Sequence, residues 1–418
     1  MKTILNKTIG NKTIRDGSIF AFFSFLNQGL NFFLLIVLSW YIMPSSYGKL
    51  NLFYTGVGVI GYVISLCTPG IIGIKYFKVK RNILSKYVNF VFLCTLGISI
   101  LLFFAVLLFN EQIAKLSGID PKLQTICIYF TATAVVYNLL LDIYRFEEKT
   151  LKYGYITTIS TIINISASLL LVIVFKQDWY GRIEADFISS TIFFIIGFYI
   201  LIKKKYITKE KPNKEICKET LAFGLPIIPH SINGWLRQGV DRYIINANFT
   251  SSAVGLFSFA INFSFIIYSV GAAFNRSNSV YIFKSLSEGE AGSKEKLRNQ
   301  TIYLIAFYLC FSAALAIICW FLIPIIFPNY RESIIYILPL CISTFFQCVY
   351  LQFCNFLFYF KKTKNLMYIT VSVSLIHMCS SLALTQYSVL YTAYISMFSS
   401  GLEALLIYLY SKKLYKFI

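Results

Sequence analysis

Charge is what this sequence has least of. Asp, Glu, Lys and Arg make up 13% of its 418 residues against 57% hydrophobic ones, roughly half the charge of an ordinary soluble domain. A water-soluble globule is excluded. Acidic residues are scarcer still, 18 against 38 basic. The loops on the side away from the termini are short, and the longest, about 110–122, has no paired carboxylates at a catalytic spacing, no nucleophile motif and no nucleotide-binding fingerprint, so neither an enzyme nor a cofactor is expected. There are two histidines, and His230 has no second ligand near it. Of the ten cysteines, nine fall in apolar runs and Cys217 lies in a basic loop, without CxxC spacing; they read as small packing residues, and neither disulfides nor a metal is expected.

What the sequence has is repetition of apolar runs near 20 residues, the length that crosses hydrocarbon as a helix. Twelve spans are expected, at 17–42, 48–73, 88–109, 123–144, 153–175, 183–202, 220–246, 252–275, 301–323, 334–359, 365–386 and 388–410. The fold class is an all-α polytopic membrane protein. The first run is too long for a signal-peptide core and is expected to stay as a permanent span. Lys and Arg alternate strongly between the two sides: 30 in segments on the side of the termini, six in the opposite loops, and Arg237 and Arg242 within a span. Positive residues stay in the cytoplasm, so both termini are expected there. The net charge of +20 is thus spread over seven segments that face lipid headgroups, which speaks for contact with membrane lipids and against nucleic acid.

The basic stretch 203–214 lies near the midpoint and reads as a linker between halves 1–206 and 207–418. A faint repeat agrees. Ser45-Ser-Tyr-Gly-Lys-Leu and Ser252-Ala-Val-Gly-Leu-Phe align Gly48 with Gly255, an offset of 207 residues, and such repeats are common in transporters.

Ionisable groups inside a span are costly and mark a cavity or transport path by default. Span 220–246 holds His230, Arg237, Asp241 and Arg242 behind two prolines, Pro226 and Pro229, that invite a kink. On one continuous helix His230, Gly234, Arg237 and Asp241 form a single stripe. Arg237 and Asp241 could equally neutralise each other, and Arg242 could reach water by snorkelling. Polar residues elsewhere sketch the same cavity: Asn27, Gln28 and Asn31 in the first span, and Ser160, Asn164 and Ser168 at steps of four in the fifth. Glu403 in the last span is either a proton or cation site or the partner of a cavity arginine. Glu184 and Asp186, at the start of span six, read as interfacial, as does the Asp142, Arg145, Glu147, Glu148 and Lys149 cluster.

Three stretches carry a family resemblance: the opening span running into Tyr41-Ile-Met-Pro-Ser-Ser-Tyr-Gly48; Phe223-Gly-Leu-Pro-Ile-Ile-Pro-His230 through Trp235 to Asp241-Arg-Tyr-Ile244; and Val254-Gly-Leu-Phe-Ser-Phe-Ala260, where Phe257 stands for the usual Tyr. They resemble the Wzx-type O-antigen and polysaccharide flippases of the multidrug/oligosaccharidyl-lipid/polysaccharide exporter (MOP) superfamily. The resemblance implies two six-helix bundles around a central cavity that opens alternately to each side. It implies as cargo a polyprenyl-pyrophosphate-linked oligosaccharide, an O-antigen or capsule repeat unit, moved across a bacterial inner membrane, with other polysaccharide export proteins as candidate partners. The expected cavity residues are Arg237, Arg242, Asp241, His230, Asn27, Gln28, Asn31 and Asn164, with Glu403 as coupling group or charge partner. Two rivals are a cation-coupled multidrug exporter of the same superfamily, which would favour an anionic cavity, and a membrane polysaccharide polymerase or glycosyltransferase, which would need a large outer loop.

Overall fold

The computed structural model describes residues 2–288 and 293–415, without the side chains of 2–18, 21, 230, 288 and 293. Among the described residues every regular element is a helix. Lipid leaves the backbone no other partner, so an apolar span must close its own hydrogen bonds. Among the described residues ten helices are long and apolar enough to cross a membrane, or eleven if one bent pair counts as a single span; the chain is a multi-pass membrane protein. The remaining expected span, 220–246, is broken into pieces, none of which is long enough to cross alone.

The chain divides into two compact units, residues 1–43 with 53–231, and residues 44–52 with 232–418. The first holds α1 (Lys2–Ser39), most of α2 (Pro44–Ser65), α3 (Gly70–Tyr76), α4 (Arg81–Ser117), α5 (Pro121–Phe146), α6 (Thr150–Leu169), α7 (Asp178–Lys203) and α8 (Lys214–Gly224). Pro44 and Pro121 open their helices, where a missing N–H costs nothing. Gly118 closes α4 with φ 67°, the left-handed conformation that glycine adopts without strain. Between α2 and α3 the chain bends by 49° through Leu66 and Cys67, both at positive φ. α5 packs against α4, α6 and α7, with Leu139, Leu140 and Ile143 in a core shared with Val88, Val91 and Leu201. Leu101, Phe104 and Leu108 of α4 are exposed, as a face towards hydrocarbon would be.

The basic stretch after α7 is docked rather than loose. Tyr206 is fully buried, Arg81 lies 3.1 Å over its ring and donates to the Lys204 carbonyl at 2.6 Å. The Asn89 amide donates to the Thr208 and Glu210 carbonyls at 2.8 and 2.7 Å. α8 is held in turn by Glu219, which takes Lys75 and the Tyr87 hydroxyl. For these reasons residues 207–231, placed with the second half from sequence, pack with the first unit.

The second unit contains most of α9 (Ile228–Gln238), then α10 (Val240–Asn248), α11 (Ser251–Glu288), α12 (Ser293–Ile326), α13 (Ile334–Tyr359), α14 (Thr363–Leu384) and α15 (Val389–Leu414). α13 packs against α11, α12 and α15. Amides link these helices where apolar packing alone would not fix register: Asn278 donates to Gln352, Gln352 to Thr301 at 3.1 Å, and Asn355 to Asn275 at 2.8 Å.

The first turns of α2 and α11 cross at the two repeat glycines. A Cβ on Gly48 would run into the Ser251 carbonyl, and one on Gly255 into the Pro44 carbonyl. Each glycine therefore meets the residue four places before the other. The motif aligned by the repeat is a symmetric backbone-to-backbone contact, which only residues without a side chain allow.

Candidate functional site

The broken stretch 214–248 sets the site. Pro226 lies in a 3-10 turn, Leu225–Ile227, between α8 and α9, so the α-helical ladder changes type where the prolines were expected to interrupt it. Here Gly224 packs so closely that a Cβ would meet the Leu66 carbonyl at the α2–α3 bend. A second break follows α9 at Gly239. The Arg242 N–H turns to the Gly239 carbonyl at 3.2 Å, which releases the Gln238 carbonyl it would meet in a continuous helix. The Arg242 guanidinium takes that carbonyl at 2.5 Å and donates to Ser258 Oγ at 3.0 Å. Arg242 is thus a cap on the break, where snorkelling to water was an alternative from sequence. Of the expected stripe, His230, Gly234 and Arg237 lie in α9, while Asp241 lies beyond the break in α10.

Arg237 and Asp241 go to different partners. Arg237 forms an ion pair with Glu403 of α15 and donates to Ser400 Oγ at 3.0 Å. Ser400 continues to Ser343 of α13 at 2.9 Å. Glu403 is 3% exposed and Arg237 14%, so the carboxylate is the deeper member. Asp241 faces His377 of α14, whose Nε2 lies 3.2 and 3.1 Å from the two carboxylate oxygens. Ser381 donates to Asp241 at 2.6 Å and Ser396 at 3.5 Å. The backbone of His230 lies in α9, while its side chain falls outside the described residues.

The first unit holds the other candidates. Asn27 donates to Thr157 of α6 at 3.1 Å. Gln28 donates to Ser24 at 3.2 Å and Asn31 to the Asn27 carbonyl at 2.9 Å, one turn back on the same helix, and both side chains are exposed. Asn164 belongs to a network with α7: it accepts from Arg182 at 2.9 Å and donates to Asp186 at 2.6 Å. Arg182 also reaches Ser168 at 3.1 Å and Asp186 at 2.5 Å, and the Tyr54 hydroxyl donates to Asp186. Asp186, expected at an interface, takes all of these partners, and Arg182 was not singled out at all.

His377 was also missed. A signal was there: Thr370, Ser374, His377, Ser381 and Thr385 follow steps of four, three, four and four, a polar stripe buried along α14. Outside the spans, Glu147 gathers Lys149 at 2.6 Å, Lys204 at 2.7 Å and Tyr206 at 2.9 Å. Burial works to raise its pKa, but these hydrogen bonds outweigh that and hold it down at about 2.

Comparison with known proteins accords with this architecture. Over 400 residues the chain is 22% identical to a protein of the Lsg locus of Haemophilus influenzae, covering 93% of this chain and 95% of that one. It is 23% identical over 391 residues to an uncharacterized membrane protein of the same organism, covering 92% and 93%. Among solved structures, an inward-facing multidrug resistance MATE family transporter of the MOP superfamily superposes with a TM-score of 0.74 at 14% identity, covering 93% of this chain and 96% of that one. The lipid II flippase MurJ, in its inward closed conformation, gives 0.72 at 16%, covering 94% and 87%. The fold is that of these transporters. Residues 14–277 match the model of the family described as polysaccharide biosynthesis protein, more than half of the sequence, and the chain belongs to that family.

Proposed function

We propose that this protein is a flippase that carries a polyprenyl-pyrophosphate-linked oligosaccharide from the cytoplasmic to the periplasmic leaflet of a bacterial inner membrane by alternating access. The family match carries the reading. A multi-pass protein of polysaccharide biosynthesis is suited to moving a lipid-borne saccharide, and one neighbour of the same fold is a lipid II flippase.

The cargo's pyrophosphate must find replacements for its hydration, and arginine suits an oxyanion. Arg237 is the candidate. A guanidinium has five donors, of which one goes to Glu403 and one to Ser400; a pyrophosphate would use others or displace the carboxylate. Arg242 serves the break at Gly239. The exposed Gln28 and Asn31 and the neighbouring Asn27 are proposed to meet the sugars. The multidrug reading draws on the MATE neighbours, but a cationic cargo wants an unmatched carboxylate. Among the described residues the two buried carboxylates of the second unit have partners, Glu403 in Arg237 and Asp241 in His377.

The test is the leaflet in which lipid-linked oligosaccharide accumulates when the gene is deleted. Build-up on the cytoplasmic side, relieved by the parental gene, is expected. Arg237→Lys should relieve it partly and Arg237→Ala not at all, when compared at equal amounts of inserted protein. An unchanged leaflet distribution after deletion would refute the reading.

A further inference from the structure

We propose that a groove along α12, from Lys296 to Phe307, binds one anionic glycerophospholipid from the leaflet on the side of the chain termini. The lipid phosphate meets Lys296, Asn299 and Gln300, and an acyl chain lies along Tyr303, Leu304 and Phe307. The site does not depend on the flippase reading.

These six residues line an open cavity of about 550 Å3. Their spacing, three and one in alternation, keeps them on one face of the helix. Eleven residues at about 1.5 Å each carry that face about 16 Å, close to half of a hydrocarbon core about 30 Å thick. The groove therefore has the depth of one leaflet. Its polar groups, a cation and two amides, all lie at the end nearer the start of α12, and the aromatic and aliphatic ones follow. Tyr303 is 75% exposed, while Leu297, Thr301 and Tyr308 turn the other side of the helix into the unit.

Both ends of the groove are held from behind. Gln300 donates to Asn278 of α11 at 2.7 Å, Asn278 donates to Gln352 of α13, and Gln352 donates to Thr301 at 3.1 Å. This chain of amides fixes the Gln300 side chain and leaves it a second N–H. At the apolar end the Phe307 ring stands edge-on to Phe274 of α11, with centroids 5.1 Å apart, and stacks on Phe311 at 6.0 Å. The wall is thus fixed before any lipid arrives, which lowers the ordering cost of binding.

Charge selects the class of lipid. Lys296 has no ion pair among the described residues, and no acidic side chain lines the groove. A phosphate diester can take the ammonium and the amide N–H groups as donors. A choline or ethanolamine headgroup would bring a second cation with no carboxylate to meet it. A glycerol headgroup leaves the lipid anionic, and its hydroxyls suit the carbonyls of Asn299 and Gln300, so phosphatidylglycerol is the fitting probe.

A lysine near the membrane surface gives about a fivefold preference for an anionic lipid, and one net hydrogen bond from the amides multiplies it by about as much. α6 supplies a matched comparison. Ile159 is 51% exposed and lies seven residues past Lys152, as Tyr303 lies past Lys296, but Tyr155 and Ile156 stand where α12 has Asn299 and Gln300. Full-length protein with a diazirine-bearing phenylalanine at position 303 or 159 is placed in vesicles of equal phosphatidylglycerol and phosphatidylcholine with the same acyl chains, illuminated, and read by intact mass. Adducts at 303 should favour phosphatidylglycerol about twentyfold and those at 159 about fivefold. Lys296→Gln should lower the ratio at 303 about fivefold and Asn299→Ala about twofold, both leaving 159 unchanged; the two side chains are exposed, so the variants should fold. Equal ratios at the two positions, or a ratio at 303 that neither substitution moves, overturns the site. Cross-links at 303 to a second copy of the chain make this face an interface between copies and overturn it as well. Polyprenyl pyrophosphate added as a minor component should leave the adducts at 303 unchanged; selective loss of phosphatidylglycerol there would assign the groove to that lipid and overturn the phospholipid assignment.

Discussion

Cutting the Arg237–Glu403 pair from either side should reveal whether it is a structural clasp or part of the transport path. Removing one partner of a buried, hydrogen-bonded ion pair costs about 3 to 5 kcal/mol, since the other charge is stranded. Glu403→Ala strands Arg237, which is 14% exposed and keeps Ser400, so its cost should sit near the lower end, about 3 kcal/mol. Arg237→Ala strands the deeper Glu403, 3% exposed, and should approach about 5 kcal/mol. Arg237→Met combined with Glu403→Leu fills the same space with apolar groups, a replacement that is often close to neutral, and should recover to within about 1 kcal/mol of the parent. Denaturant unfolding in mixed micelles, followed by tryptophan fluorescence, measures the cycle. If the pair only holds the fold, the double variant should transport like the parent; if Arg237 meets the cargo, it should be stable and inactive. Full transport by the stable double variant would refute the assignment of Arg237 to the cargo.

At the α2–α11 crossing, Gly48→Ala and Gly255→Ala should each lower expression and thermal stability, because the added Cβ meets backbone carbonyls that cannot rotate away; Gly58→Ala, with nothing within 4 Å, is the control. Glu147 titrates at about 2 against an ordinary 4.5. A depressed carboxylate stabilises above its unfolded value and loses that contribution as pH falls through the folded one. The stability difference between parent and Glu147→Gln should therefore be constant above about pH 5 and vanish towards pH 2, as thermal unfolding across that range would show. In a background without native cysteines, Asn31→Cys should react with a small hydrophilic thiol reagent, and protection in all transport states would argue that this face of α1 meets lipid. A reporter active only in the periplasm should stay silent when fused after Lys211 or at Ile418; activity there would invert the orientation.

The distinction between what local pattern shows and what it hides is clear in single residues. Pro226 announced its 3-10 turn, since a missing N–H acts within one helical turn. Gly48 and Gly255 could be aligned from sequence, but not seen to touch. Gly239 gave no warning of a break, because one glycine in an apolar run is as compatible with a continuous helix as with an interrupted one. Arg237 stood out as a charge in a span, yet its partner Glu403 lies 166 positions away, among several polar groups that could have answered it.

The sequence by itself determined that the chain is helical and lies in a membrane, and marked where nearly every span falls. Those properties follow from the length of apolar runs and from the backbone's need to close its own hydrogen bonds in lipid, both local to each segment. Only the tertiary structure decided which buried charges neutralise which: Arg237 with Glu403, Asp241 with His377 across 136 positions, and Arg182 with Asp186 and Asn164. Electrostatic pairing depends on distance in space, and a helix's polar stripe says that a partner is needed without saying which neighbouring helix will bring it.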